Sequence, residues 1–332
     1  MIKYRIEGPE ATDFLERLTI RNVQLMSVGG VQYTPWVNDA GHLLDDGTLF
    51  RLEANRYRLC CQERRLNWIE DSAFGFDVTV AEETEAIAAL SLQGPTSAEI
   101  LRQAGFAIDG LKPFRIAEFP LGTGRLMILR TGFTGDLGYE LWTTPDQALA
   151  LWDLPFNSGK LHGLRPIGSE ALNIARIEAG LLITGHDFVP ADACLREDRL
   201  RRPPEMGLGW MIDWEQGHFT GKAALMCQRE RGTEWTFVGL ENDGNIPADG
   251  AILYHNRKTE AGVITAAIWS PVLKKNITMA QVLTRYATGD TLWAEIYALR
   301  ELQCEKLMMQ ARVVDRPFFT HPRRRATPPG RF

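Results

Sequence analysis

At roughly 100–200 residues per domain, a chain of 332 residues holds two or three domains, each able to bury its own core. With 45% hydrophobic and 24% charged residues it sits near the average of soluble globular proteins, which excludes disordered, collagen-like and fibrous classes. The formal charge of −5 provides no broad cationic field, so neither nucleic acid nor an anionic membrane is an expected partner.

Residues 1–7 contain no apolar leader, and no stretch approaches the ~20 apolar residues of a membrane helix, so a protein neither secreted nor inserted is expected. Cys60, Cys61, Cys194, Cys227 and Cys304 show no CxxC spacing. That predicts neither a zinc site nor a disulfide framework and fits a reducing cytoplasm.

Residues 9–20 place Ala11, Phe14, Leu15 and Leu18 at helical spacing behind Pro9, which predicts a short helix. From 31 to 59, short alternating runs are broken at residues 38–41 and at Asp45, Asp46 and Gly47, both read as hairpin turns. A helix over 63–74 and a strand over 76–80 follow. Strands and helices interleaved, with tight turns between successive strands, predict an α+β class rather than a doubly wound sheet. Residues 125–131 and 139–143 read as strands joined by a segment in which Gly132, Gly135 and Gly138 admit backbone angles closed to other residues. Pro166 opens a helix running to about Glu178 and closed by Gly180. Beyond about Trp235 the chain becomes strand-like and is punctuated by Gly239, Gly244, Pro247, Gly250, Gly262 and Pro271, predicting a separate small β domain.

Common catalytic motifs fail in turn. Residues 217–222 (GHFTGK) lack both the phosphate-loop spacing and the hydroxyl that meets magnesium, since Ala223 stands in its place. Gly207 and Gly209 have no third glycine at Ile212, so the dinucleotide fingerprint is absent. The histidines are scattered without metal-ligand spacing, and Ser169 lacks the flanking glycines of a nucleophile elbow.

Glu178 stands out because it ends a helix, where the macrodipole disfavours a carboxylate by ~0.3–1 kcal/mol. One reading is an exposed surface glutamate at a frayed terminus. The functional reading is a carboxylate that accepts two parallel N–H donors, the edge a pterin presents through its 2-amino group and N3.

The chain resembles the aminomethyltransferase family, the T-protein of glycine cleavage and its folate-dependent relatives. The matching segments are residues 33–46 (YTPWVNDAGHLLDD), 92–101 (LQGPTSAEIL), 130–140 (RTGFTGDLGYE), 171–185 (ALNIARIEAGLLITG), 207–225 (GLGWMIDWEQGHFTGKAAL), 262–271 (GVITAAIWSP) and 316–319 (RPFF), in collinear order. The resemblance implies a multi-domain α+β cloverleaf around a central tetrahydrofolate channel, with a C-terminal β-barrel. It divides the chain into a folate-binding region, 1–235, of two α+β subdomains; a barrel, 236–320; and a flexible tail, 321–332, in which Arg323, Arg324 and Arg325 lie solvated among prolines. It implies that Glu178 holds the pterin, with Tyr139, Arg130, Tyr33 and Asn38 near the same site. Without it, Tyr139 reads as a half-buried strand tyrosine and Arg130 as a strand-end surface arginine.

Two departures bear on the reaction. The family carries an aspartate about seven residues before the QGP glutamine; counting back from Gln93 gives Ala86, and the adjacent Glu85 substitutes only through a register slip that turns it to the opposite face. The segment before Ile6 is also shorter than in typical members. The expected activity is therefore tetrahydrofolate-dependent methyl transfer, or demethylation, of a small one-carbon donor. Such chemistry needs mainly alignment and exclusion of water. Aminomethyl transfer with a lipoyl carrier protein and non-catalytic folate binding are the alternatives. A cationic donor calls for aromatic faces, for which Trp36, Trp210 and Trp214 are candidates, against a reading of all three as core packing.

Overall fold

The computed structural model describes residues 1–286, 288–300 and 303–326. The first unit comprises β1 (Ile2–Glu7), α1 (Ala11–Leu18), β2 (Val31–Val37), β3 (Leu43–Glu53), β4 (Arg56–Cys61), α2 (Leu66–Ser72) and β5 (Thr79–Glu82). Its antiparallel sheet runs β2-β3-β4-β1-β5. The apolar stripe of α1, Ala11, Phe14, Leu15 and Leu18, closes on Tyr4, Ile6, Leu49 and Leu59 of the sheet, as the helical spacing requires.

The expected turn at Asp45, Asp46 and Gly47 is a correction: these residues lie inside β3, whose hairpin turn comes later, at Ala54 and Asn55. Gly47 serves a close approach instead, since a Cβ there would stand 2.1 Å from the Cys60 carbonyl oxygen of β4. Sequence alone reads Asp-Asp-Gly as a turn because both uses of glycine leave the same local signature.

The second unit comprises β6 (Ala88–Gln93), α3 (Ser97–Gln103), β7 (Ile116–Leu121), β8 (Gly124–Leu129), β9 (Gly138–Thr143) and α4 (Ala148–Gly159), with sheet order β6-β9-β8-β7. Its core gathers Leu92, Ile100, Leu126, Ile128, Tyr139 and Leu151. The two sheets meet through Phe50 and Trp142, whose ring centroids are 5.1 Å apart.

Next comes α5 (Ser169–Glu178), then an irregular stretch and α6 (Lys222–Arg231). The remaining strands are β10 (Trp235–Asn242), β11 (Ile252–His255), β12 (Thr259–Ser270), β13 (Lys275–Leu283), β14 (Thr291–Arg300) and β15 (Gln303–Val314), which close into a barrel in the order β10-β13-β12-β11-β14-β15. The protein is thus multi-domain and α+β with a C-terminal β-barrel. A further core forms at the junction, where Ile177 of α5, Val37 of β2, Leu225 of α6 and Met279 of β13 pack together. Among the described residues no helix is long and apolar enough to cross a membrane.

The flexible tail expected over 321–332 also needs correction in its described part. Arg323 grips Asp136 through Nε and Nη2, both at 2.6 Å, and Arg130 donates to the carbonyls of Arg324, at 3.4 Å, and Ala326. A run of arginines looks solvated in sequence because its partners, the acceptor Asp136 and the donor Arg130, lie almost two hundred positions away. Residues 327–332 lie outside the described residues.

Candidate functional site

Glu178 is the last residue of α5 and is only 6% exposed, which removes the surface-glutamate reading. Its Oε1 accepts the Ser270 hydroxyl at 2.5 Å, and its carbonyl accepts the Phe318 N–H at 3.1 Å. Oε2 has no hydrogen bond among the described residues. Gly180 turns the chain at φ 65°, close against Arg316 and Pro317. The cation that a helix C-terminus calls for is Arg316, whose Nη1 donates to Gly180 O at 3.0 Å and whose Nη2 donates to Met206 O at 2.8 Å. Burial pushes its guanidinium down to about 10, while Asp187 and Tyr33 nearby oppose the shift.

Beside this terminus the β2–β3 hairpin contributes Asp46, which accepts the hydroxyls of both Tyr33 and Thr184. Burial raises the Asp46 carboxyl, and the two donated bonds work against that rise. The Tyr33 phenol is pushed well up, first by burial and then by Asp46. A second buried carboxylate, Asp187, is tied to Arg176 Nη1 at 2.5 Å, Ile183 N at 2.8 Å and Thr265 Oγ1 of β12 at 2.8 Å. Hairpin, helix end and barrel are thereby knitted together by buried charge-assisted bonds.

Of the other expected residues, Trp214 packs against the same junction core as Tyr33. Asn38 stabilises the β2–β3 turn: its Oδ1 accepts the His42 N–H at 2.9 Å. Trp36 corrects the expectation of an aromatic face for a donor, being fully buried in the first core. Trp210 and Trp214 already carry cations of this chain, Arg21 at 5.4 Å and Arg229 at 4.9 Å from their ring centroids. Tyr139 is fully buried in the second core and not half-buried; burial raises its phenol and the Arg130 charge opposes this. Arg130 is likewise buried rather than on the surface, donating to Leu111 O at 3.1 Å and to the tail. Glu85 is exposed on the turn Thr84–Ala86, as is Ala86 itself.

The QGP and RTGFTGDLGYE segments are joined by Gln93. Its Nε2 donates to Thr131 O and Tyr139 O, each at 3.3 Å, and its Oε1 accepts Thr134 Oγ1 at 3.1 Å. A Cβ on Gly132 or Gly138 would stand 1.9 Å from Gln93 Oε1, so both glycines make room for that amide. At Gly135, in the same loop, a Cβ would stand 2.5 Å from Ala179 Cβ, which sets the loop against the residue after Glu178. Sequence reasoning passed over Asp46, Thr184, Asp187, Ser270 and Arg316. All except Asp187 lie within the quoted motifs, and Asp187 follows one closely. Among the described residues no cluster of His, Cys, Asp and Glu is arranged to hold a metal ion.

Residues 1–216 match the GCVT N-terminal domain and residues 236–320 the glycine cleavage T-protein C-terminal barrel domain. An aminomethyltransferase of Halothermothrix orenii is 33% identical over 86% of this chain and 79% of its own length. One from Bacillus subtilis is 31% identical over 96% and 85%. A trimethylamine-oxide aldolase of Ruegeria pomeroyi is 33% identical over 84% of this chain, which spans only 36% of that protein. The crystal structure of glycine cleavage system aminomethyltransferase T from Bartonella henselae superposes with a TM-score of 0.83 at 25% identity, covering 96% of this chain and 84% of that one.

Proposed function

Because this chain belongs to the glycine cleavage T-protein (aminomethyltransferase) family, an enzyme family, we propose that it transfers a one-carbon group, as methyl, from a small methylated donor to tetrahydrofolate. The observation that carries this reading is Glu178, a buried carboxylate with Oε1 already held and Oε2 without a partner among the described residues. That donor set fits a pterin, whose 2-amino and N3 hydrogens match a carboxylate side by side. When bound, tetrahydrofolate supplies the nitrogen that accepts the carbon.

The chain's own work is binding, orientation and exclusion of water. Glu178 would hold the pterin edge, and Tyr33 would stand over the same junction, oriented by Asp46. The resemblance implies an aspartate at the position of Ala86, which offers no proton donor or acceptor. Alignment within near-attack distance, worth about 7–11 kcal/mol, takes the place of acid–base assistance. A broad plateau in the pH–rate profile follows.

Tetrahydrofolate titrated calorimetrically against the parent and Glu178→Ala tests the first half: loss of a charged partner predicts affinity weakened by about a hundredfold or more. Unchanged affinity in a folded variant would discard the site. Mass spectrometry of folate incubated with sulfonium, quaternary ammonium, methoxy and amine-oxide donors tests the second; the trimethylamine-oxide aldolase relative motivates the last of these. Methylated folate is the expected product from the methyl donors, and the amine oxide, if cleaved as an aldolase cleaves it, would give methylene folate, with its carbon at the aldehyde level. Folate binding without product from any donor favours a non-catalytic folate-binding protein. Aminomethyl transfer with a lipoyl carrier protein is the second reading, supported by relatives of that name that the chain covers over most of their length.

A further inference from the structure

We propose that Ser270, a residue of the barrel, is the positioning residue of the Glu178 site. This rests on the folate reading above. Ser270 is fully buried at the end of β12, opposite Lys275 across the β12–β13 hairpin. Its Oγ accepts the Leu273 N–H at 3.0 Å, and its carbonyl accepts the Lys274 N–H at 2.8 Å. The hairpin loop thus fixes the hydroxyl, whose single proton goes to Glu178 Oε1 at 2.5 Å.

A glutamate at a helix end has freedom about its terminal torsion, and ordering it on binding costs affinity. The Ser270 bond sets that torsion in advance and leaves Oε2, and one lone pair of Oε1, for the paired N–H donors of a pterin. Because the two residues are 92 positions apart and belong to different domains, the same bond links site geometry to the seating of the barrel on α5.

The test is a double-mutant cycle on the full chain with tetrahydrofolate as the calorimetric probe and a melting curve for each variant. Loss of a hydrogen bond to a charged group predicts that Ser270→Ala weakens binding about tenfold. In a Glu178→Ala background the same change should alter the dissociation constant less than about twofold, because there is no carboxylate left to orient. Ser270→Thr keeps the hydroxyl and should bind within about threefold of the parent, and it carries the comparison should the alanine variant not fold. Equal losses in both backgrounds, parental affinity in Ser270→Ala, or a threonine variant as weak as the alanine one would each overturn the proposal. If Glu178→Ala itself binds as the parent does, the folate reading fails as well. If Glu178→Ala weakens binding and Ser270→Ala does not, only the positioning role is lost.

Discussion

Arg176 on the last turn of α5 and Asp187 in the loop that follows form a fully buried ion pair, Nη1 to Oδ2 at 2.5 Å. Asp187 also accepts from the barrel through Thr265, and its carbonyl takes Gln281 Nε2 at 2.6 Å, so the pair sits where helix and barrel are joined. Removing one member of a buried pair strands the other's charge. Asp187→Ala should therefore destabilise the protein by about 3–5 kcal/mol, read as a lowered urea midpoint. A loss under about 1 kcal/mol would mean that the pair is solvated in solution.

Ala86, exposed on the turn Thr84–Ala86, tests which one-carbon reaction the chain supports, provided that the aspartate implied by the resemblance belongs there. If aminomethyl transfer needs the carboxylate that the family carries before its QGP motif, Ala86→Asp should raise such activity with a lipoyl carrier, while the parent shows little. Assays of folate-dependent ammonia release with an aminomethylated carrier would report it. Ordinary turnover by the parent would instead favour aminomethyl transfer as its own reaction.

Burial pushes the Asp45 carboxyl up to about 6, against hydrogen bonds from the Asp46 and Glu63 amides. A carboxyl raised in the fold retains a proton that the unfolded chain has released, so its contribution is fully present below about pH 4 and is lost as pH rises through about 6. That difference is worth about 3 kcal/mol at most. Urea unfolding at pH 4.5 and pH 7 should show Asp45→Asn gaining on the parent at the higher pH. A gap that does not change with pH would rule the assignment out.

The Arg323–Asp136 pair is bidentate but partly exposed, 25% and 16%, and is worth about 1 kcal/mol. Asp136→Asn should leave the melting temperature nearly unchanged and speed tryptic cleavage at Arg323, Arg324 or Arg325. Cleavage at the parental rate would show that Arg130, through its bonds to Arg324 and Ala326, holds the segment unaided.

Sequence was sufficient wherever neighbouring residues carried the cause. The stripe of α1, the strands β8 and β9, the end of α5 at Glu178 and the turn-rich barrel region all follow from spacing and from local backbone limits. The collinear motifs also identified the family and singled out Glu178. Local signals misled where one residue type serves two ends, as Gly47 did by sitting under a neighbouring strand rather than in a turn.

Tertiary structure alone decided which groups meet. Ser270 reaches Glu178 across 92 positions and Thr184 reaches Asp46 across 138, contacts that exist only once the barrel and the hairpin close on α5. It also decided that Trp36 is sealed in a core and that Arg130 holds the tail. Periodicity shows which side of an element is buried, but the partner of a buried polar group is set by the packing of domains, because the groups that meet across a junction come from segments far apart in the chain.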